Sequence, residues 1–372
     1  MRVLHLGNRR TPEHKWLMRD QDSLEISCPP GSKWIKLNVG QFGFYRVNYI
    51  PLDWGALTQA LEDDPNSLPP MDRASLLNDA FSLADASILS YGIPLKMTTY
   101  LSNETHLVPW QTVSDKLGSL GNLLESCPIY PKFKEFVVKL VAKHYHRLGW
   151  EVEGTHVEKL LRVTILSLAC NNGLHLCRQE AAKLFSSWIS DQNFYLHPDI
   201  RRLVYMYGMK SSSDWDTTLE RYKQEINAQE KDKLLRGLAS IEDSEVLNKF
   251  IVMAKDETLI RSQDYLHTLT YISRNPTGNP LVWKYIQDEW PALLERFGLN
   301  DRYLGRLPKT VTEGFTTEDQ LNQVKKFFSA NPEAGAGARE RRQALENIEI
   351  NIKWQDHSYK KVAEWIEKNE FV

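Results

Sequence analysis

The chain has 372 residues, 42% of them hydrophobic and 25% charged, which is ordinary globular composition with room for two or three domains. A formal net charge of −2 gives no field that would steer nucleic acid or anionic lipid to it. No apolar run approaches the ~18 residues of a membrane span, and the first residues lack the apolar stretch of a signal peptide, so neither is expected.

Residues 1–49 carry strand signals. "SLEISC" (23–28) and "KWIKLNV" (33–39) alternate polar and apolar side chains around a "PPGS" turn, and "FGFYRVNY" (42–49) follows Gly40. The alternation predicts antiparallel strands with Phe44 and Arg46 on one side and Tyr45 and Val47 on the other. Three strands make no stable unit unless something covers them, so they must pack on the rest of the chain.

Beyond residue 51 the period becomes helical. "MDRASLLNDAFSLADASILSYGIP" places Leu76, Leu77, Ala80, Phe81, Ala84 and Ile88 on one stripe, with Asp72 as the expected cap and Gly92 and Pro94 as the stop. "HVEKLLRVTILSLACNNG" repeats the pattern through Val157, Leu160, Leu161, Ile165 and Leu168, closing at Gly173. A helix pair is predicted over 229–256, and "FTTEDQLNQVKKFFSA" opens with a Thr317–Gln320 capping box. "RRQALENIEINIKW" and "SYKKVAEWIEK" complete a dozen or more helices. The predicted fold is mainly α: antiparallel helix pairs in a curved HEAT/armadillo-like array, preceded by a small partial β-sandwich.

Motifs of chemistry are sparse. There is no H-E-x-x-H, G-x-S-x-G or P-loop. "HYHR" (144–147) reads as solvated helix surface, because residues two apart do not share a helix face. "AGAGAR" (334–339) reads as a flexible connector. Cys170 and Cys177 stand seven apart across "CNNGLHLC", which permits a disulfide or two buried thiols. Asn103 opens the one glycosylation sequon.

"GQFGFYRVNY" followed by "DRASLLNDAFSLADA" is similar to gluzincin-type zinc aminopeptidases, above all to their glutamyl-aminopeptidase and aminopeptidase N branches. "LVPW", "IRRLVYMYGM", "QEKDKLLRGLAS", "NDRYLGR" and "NIEINIKW" continue the likeness in the right order along the chain. The resemblance implies residues 1–50 as the end of a β-sandwich domain and 51–372 as a helical bowl that encloses peptide substrate. It places the zinc ligands in a catalytic domain outside this chain, so no cofactor and no catalytic residue is expected here, and the chain alone is expected to be inactive. It assigns Arg302 first, and Arg306 second, to recognition of an acidic substrate side chain. It also implies the Cys170–Cys177 disulfide, a glycan on Asn103, a homodimer through the helical domain, and a lumenal or extracellular home for the family. The competing expectation is a non-catalytic helical-repeat module that binds a peptide or protein.

Overall fold

The computed structural model describes residues 2–5, 13–28, 30–191 and 193–369. It is mainly α. Three short strands open it: β1 (Arg2–His5), β2 (Glu13–His14) and β3 (Ile35–Leu37). β1 pairs antiparallel with both of the others, with Val3 opposite Glu13 and Leu37. Seventeen α-helices follow among the described residues. The first six are α1 (Pro51–Asp63), α2 (Pro70–Asp85), α3 (Gly92–Met97), α4 (Leu107–Leu124), α5 (Tyr130–Leu148) and α6 (His156–Asn171). Next come α7 (His175–Ser190), α8 (Pro198–Gly208), α9 (Ser212–Gln224), α10 (Ala228–Leu238), α11 (Ser244–Met253) and α12 (Ser262–Ser273). The last are α13 (Asn279–Phe297), α14 (Arg302–Val311), α15 (Glu318–Ala330), α16 (Ala338–His357) and α17 (Tyr359–Lys368).

The chain divides into two compact units. One comprises residues 1–149, 153–168 and 358–372; the other comprises 150–152 and 169–357. In the first unit α2 packs on α3 and α4, and α17 packs on α3 and α5. Trp54, Leu77, Phe81, Trp110, Phe133 and Val137 fill its core. In the second unit the even-numbered helices α8, α10, α12, α14 and α16 each pack on the next, and the odd-numbered helices lie behind them. The second unit is therefore two-layered, with Trp215, Leu247, Phe250, Leu269, Ile286 and Val324 between its helices.

Strand structure in 23–49 is confined to Ile35–Leu37. "SLEISC" is irregular, and "FGFYRVNY" is not a strand. The reason lies in where its backbone donors go. Asn38 and Gln41 take left-handed conformations around a 3₁₀ turn at Val39–Gln41. The Asn38 amide then closes the loop, accepting from the Gly43 N–H at 2.7 Å and donating to the Gly43 and Tyr45 carbonyls. Two carboxylates of α2 hold the outer donors: Asp72 accepts from the Gly40 N–H at 2.7 Å and Asp79 from the Val47 N–H at 3.1 Å. Seven residues apart, they share one helix face. The expected sidedness survives at two positions, since Val47 is buried and Phe44 fully exposed.

That anchoring also revises the start of α2. Asp72 is not its cap: Pro69 precedes the helix, Pro70 starts it, and Asp72 is buried in the first turn against the Lys36 ammonium at 3.7 Å. Nor do Gly92 and Pro94 stop it. Ser87 turns left-handed (φ 59°), and the Leu83 carbonyl accepts from the Ile88 and Leu89 N–H groups, so the helix closes at Asp85 and Ile88 is exposed. In α6, Leu161, Ile165 and Leu168 are buried as expected, but Val157 and Leu160 face solvent. The Thr317–Gln320 capping box is present in full.

Cys170 and Cys177 form a disulfide, with Cα atoms 5.2 Å apart, across the α6–α7 turn. Gly173 supplies the left-handed residue there, and Arg178 donates to the Cys170 carbonyl.

Asp72→Ala, which removes the carboxylate paired with the buried Lys36 ammonium and the acceptor of the Gly40 N–H, should lower stability by about 3–5 kcal/mol in urea unfolding. Asp79→Asn should cost less at neutral pH, because burial raises the Asp79 carboxyl pKa and so favours its neutral form. A raised folded pKa stabilises most below the unfolded value near ~3.9 and loses that contribution as pH rises through it. Asp79→Asn should therefore flatten stability across the acid range.

Candidate functional site

Arg302 and Arg306 lie on α14, which Asp301 caps by accepting from the Leu304 N–H at 2.8 Å. Leu304, Leu307, Pro308 and Val311 bury one face of the helix, and Arg302, Tyr303 and Arg306 are exposed on the other. Four residues apart, the two guanidiniums are helix-surface neighbours of like charge. Arg302 occupies the first helical position, where the macrodipole disfavours a cation. No carboxylate forms an ion pair with either among the described residues.

The ground beside them is more highly organised. On α10, Asp232 accepts from Arg236 Nε at 2.8 Å, and on α12 the Tyr271 hydroxyl donates to Asp232 at 2.6 Å. Arg236 also donates to the Tyr271 oxygen at 2.9 Å and lies 4.1 Å from its ring centre. His267, one turn back on α12, stands edge-on to Tyr303 with ring centres 5.0 Å apart. Burial and the hydrogen bond to Asp232 push Tyr271 up to about 12. Burial works to raise the Asp232 pKa, but hydrogen bonds from Tyr271 and Arg236 outweigh it and hold the carboxyl below its usual range. Asp232 is thus satisfied locally, while Arg302 and Arg306 on α14 have no ion-pair partner among the described residues. The i,i+4 spacings of Asp232 with Arg236 and of His267 with Tyr271 are visible in the sequence. Their convergence depends on helices that are distant in sequence.

Glycines seat α14. "AGAGAR" is no loose connector: Gly335–Gly337 forms a 3₁₀ turn against the helix. A Cβ on Gly305 would stand 2.8 Å from the Gly337 nitrogen, and one on Gly337 would stand 2.8 Å from the Gly305 carbonyl oxygen. Gly335 is left-handed (φ 48°), and a Cβ there would meet the Leu299 oxygen at 2.1 Å. Backbone-to-backbone contact therefore sets the position of the helix that carries both arginines.

The sequence candidates His144 and Asn103 belong to the first unit. His144 is buried rather than solvated, with Nε2 2.9 Å from the Leu101 carbonyl and its ring edge-on to Trp110. Burial lowers its pKa. His146 and Arg147 match the expected exposed surface. Asn103 is exposed at the end of a 3₁₀ turn, and Lys143 donates to its side-chain oxygen at 2.9 Å. Among the described residues no group of three or more His, Cys, Asp or Glu side chains could hold a metal ion. The donor set does not fit zinc.

The chain belongs to the ERAP1-like C-terminal domain family, whose model matches residues 34–350. It is 40% identical over 351 residues to aminopeptidase A of Gloydius brevicauda, covering 93% of this chain and 36% of that protein. It is 39% identical over 347 residues to glutamyl aminopeptidase of Homo sapiens, covering 92% and 36%. It is 32% identical over 358 residues to endoplasmic reticulum aminopeptidase 1 of Mus musculus, covering 95% and 38%. The chain thus spans little more than a third of the curated relatives it matches.

Gly335→Ala and Gly305→Val should each destabilise the chain by about 1–3 kcal/mol through overpacking, read as a lowered thermal midpoint. Arg302→Ala, at an exposed and unpaired position, should leave stability within about 0.5 kcal/mol.

Proposed function

We propose that this chain is the substrate-enclosing part of a zinc aminopeptidase that removes N-terminal acidic residues, and that Arg302, with Arg306 beside it, receives the acidic side chain. The observation that carries this reading is the pair of exposed guanidiniums on α14 with no carboxylate partner, next to a tyrosine–aspartate–arginine network that has one. Several relatives bear the name glutamyl aminopeptidase, which agrees with an acidic specificity. In this reading the even-numbered helices form the inner layer of a curved HEAT-like array, and residues 1–50 are the end of a β-sandwich. The zinc ligands would belong to a catalytic domain that these residues do not supply. This chain binds and orients the substrate. A planar guanidinium meets a carboxylate through two parallel hydrogen bonds, which selects both charge and shape.

An exposed sequon in a disulfide-bonded chain also supports a glycan on Asn103. Secretory expression should yield a product whose mass falls on enzymatic deglycosylation, and Asn103→Gln should abolish that shift.

The purified chain should bind a peptide with N-terminal glutamate more tightly than its glutamine counterpart. Arg302→Ala should weaken the glutamate peptide by about tenfold, the worth of one charge-assisted hydrogen bond. Equal binding by wild type and variant would remove Arg302 from the proposal. With added zinc the chain alone should release no N-terminal glutamyl chromophore. Turnover lost on chelation would overturn the assignment of the catalytic ligands elsewhere.

A further inference from the structure

A cavity of about 320 Å³ lies within the second unit between α7, α8, α9 and α10. That is at the small end of ligand pockets. Trp188, Phe194 and Leu196 make an apolar wall. Arg201, Arg221 and Glu230 supply its charge.

Glu230 is fully committed. It accepts from Tyr205 Oη at 2.8 Å, Arg201 Nη1 at 3.1 Å and Lys233 Nζ at 3.3 Å, so two cations already answer one carboxylate. Glu225, at the rim, spends one oxygen on the N–H groups of Ile226 and Asn227. Arg221 is different. Its guanidinium lies 4.1 Å from the Trp188 ring centre, and Nη2 donates to the Ile189 carbonyl at 2.8 Å. No carboxylate forms an ion pair with it among the described residues. Burial lowers its pKa, with a smaller opposing effect of the Tyr205 hydroxyl. A half-buried guanidinium set over an indole, with hydrogen-bonding edges left over, is pre-organised for a planar anion.

We propose that this cavity binds a small carboxylate with a flat apolar body, its carboxylate on Arg221 and its body along Trp188, Phe194 and Leu196. Among the residues that line the cavity Arg201 and Arg221 face Glu225 and Glu230, and Arg201 is already paired with Glu230, so the attraction for the carboxylate rests on Arg221. The site is independent of Arg302, which lies on a different helix.

Calorimetric titration of the purified chain with phenylacetate tests the proposal, with phenylacetamide as the neutral match. Saturable binding of the acid, absent for the amide, is expected, and Arg221→Gln should weaken it by about tenfold or more. The acid–amide pair needs no variant, so a folding defect in Arg221→Gln could not mask the result. An N-acetyl dipeptide ending in phenylalanine, with free or amidated C-terminus, separates the sources. Tighter binding of the free-terminus peptide than of phenylacetate assigns the site to a chain end; the reverse assigns it to a free acid. No saturable binding of phenylacetate or of the free-terminus dipeptide, equal binding of acid and amide, or undiminished binding to a folded Arg221→Gln would overturn the proposal.

Discussion

The structure depends on buried and half-buried side chains of the helices that satisfy the polar groups of the connections. A chain of short helices leaves carbonyls and N–H groups exposed at every turn, and those that are buried must find partners. Arg73 of α2 donates to the Pro65 and Leu68 carbonyls while pairing with Glu104 at 2.5 Å. Arg162 does the same for the carbonyls of Leu148 and Glu153, and Asn275 for those of Ala239 and Ile241. Arg341 reaches the Asn331 and Glu333 carbonyls. Asp72 and Asp79 play the acceptor's part for the Gly40 and Val47 N–H groups. Each such group replaces hydration with directed bonds, and removing any one leaves polar atoms stranded.

Arg302 and Arg306 have no such work: among the described residues neither forms an ion pair with a carboxylate, and their helix is placed by unforgiving glycine contacts. Arg221 is an intermediate case, with one bond to a carbonyl and a stacked face, and its remaining capacity points into a cavity.

Much of this was legible in the sequence. Helical periodicity located α2, α6, α10, α11, α15, α16 and α17, and the capping box marked the start of α15 to the residue. The resemblance carried by "NDRYLGR" and "IRRLVYMYGM" gave the family. What failed did so for a common physical reason: partners distant in sequence. Alternation in 42–49 reads as a strand until Asp79 takes the Val47 N–H. Asp72 reads as a cap until Gly40 and Lys36 arrive. "AGAGAR" reads as slack until Gly305 lies against it. The network of Asp232, Arg236 and Tyr271 shows only its Asp232–Arg236 spacing locally, because Tyr271 reaches it from α12, a helix distant in sequence.

The central claim is that Arg302 answers an acidic side chain directly. The most direct measurement is a double-mutant cycle between Arg302→Gln and an N-terminal Glu→Gln change in the peptide, followed by binding to the purified chain. Direct pairing predicts a coupling on the order of 1 kcal/mol or more, with the glutamine peptide nearly indifferent to the substitution. Strictly additive effects would mean that Arg302 and the acidic side chain do not meet, and would contradict the account.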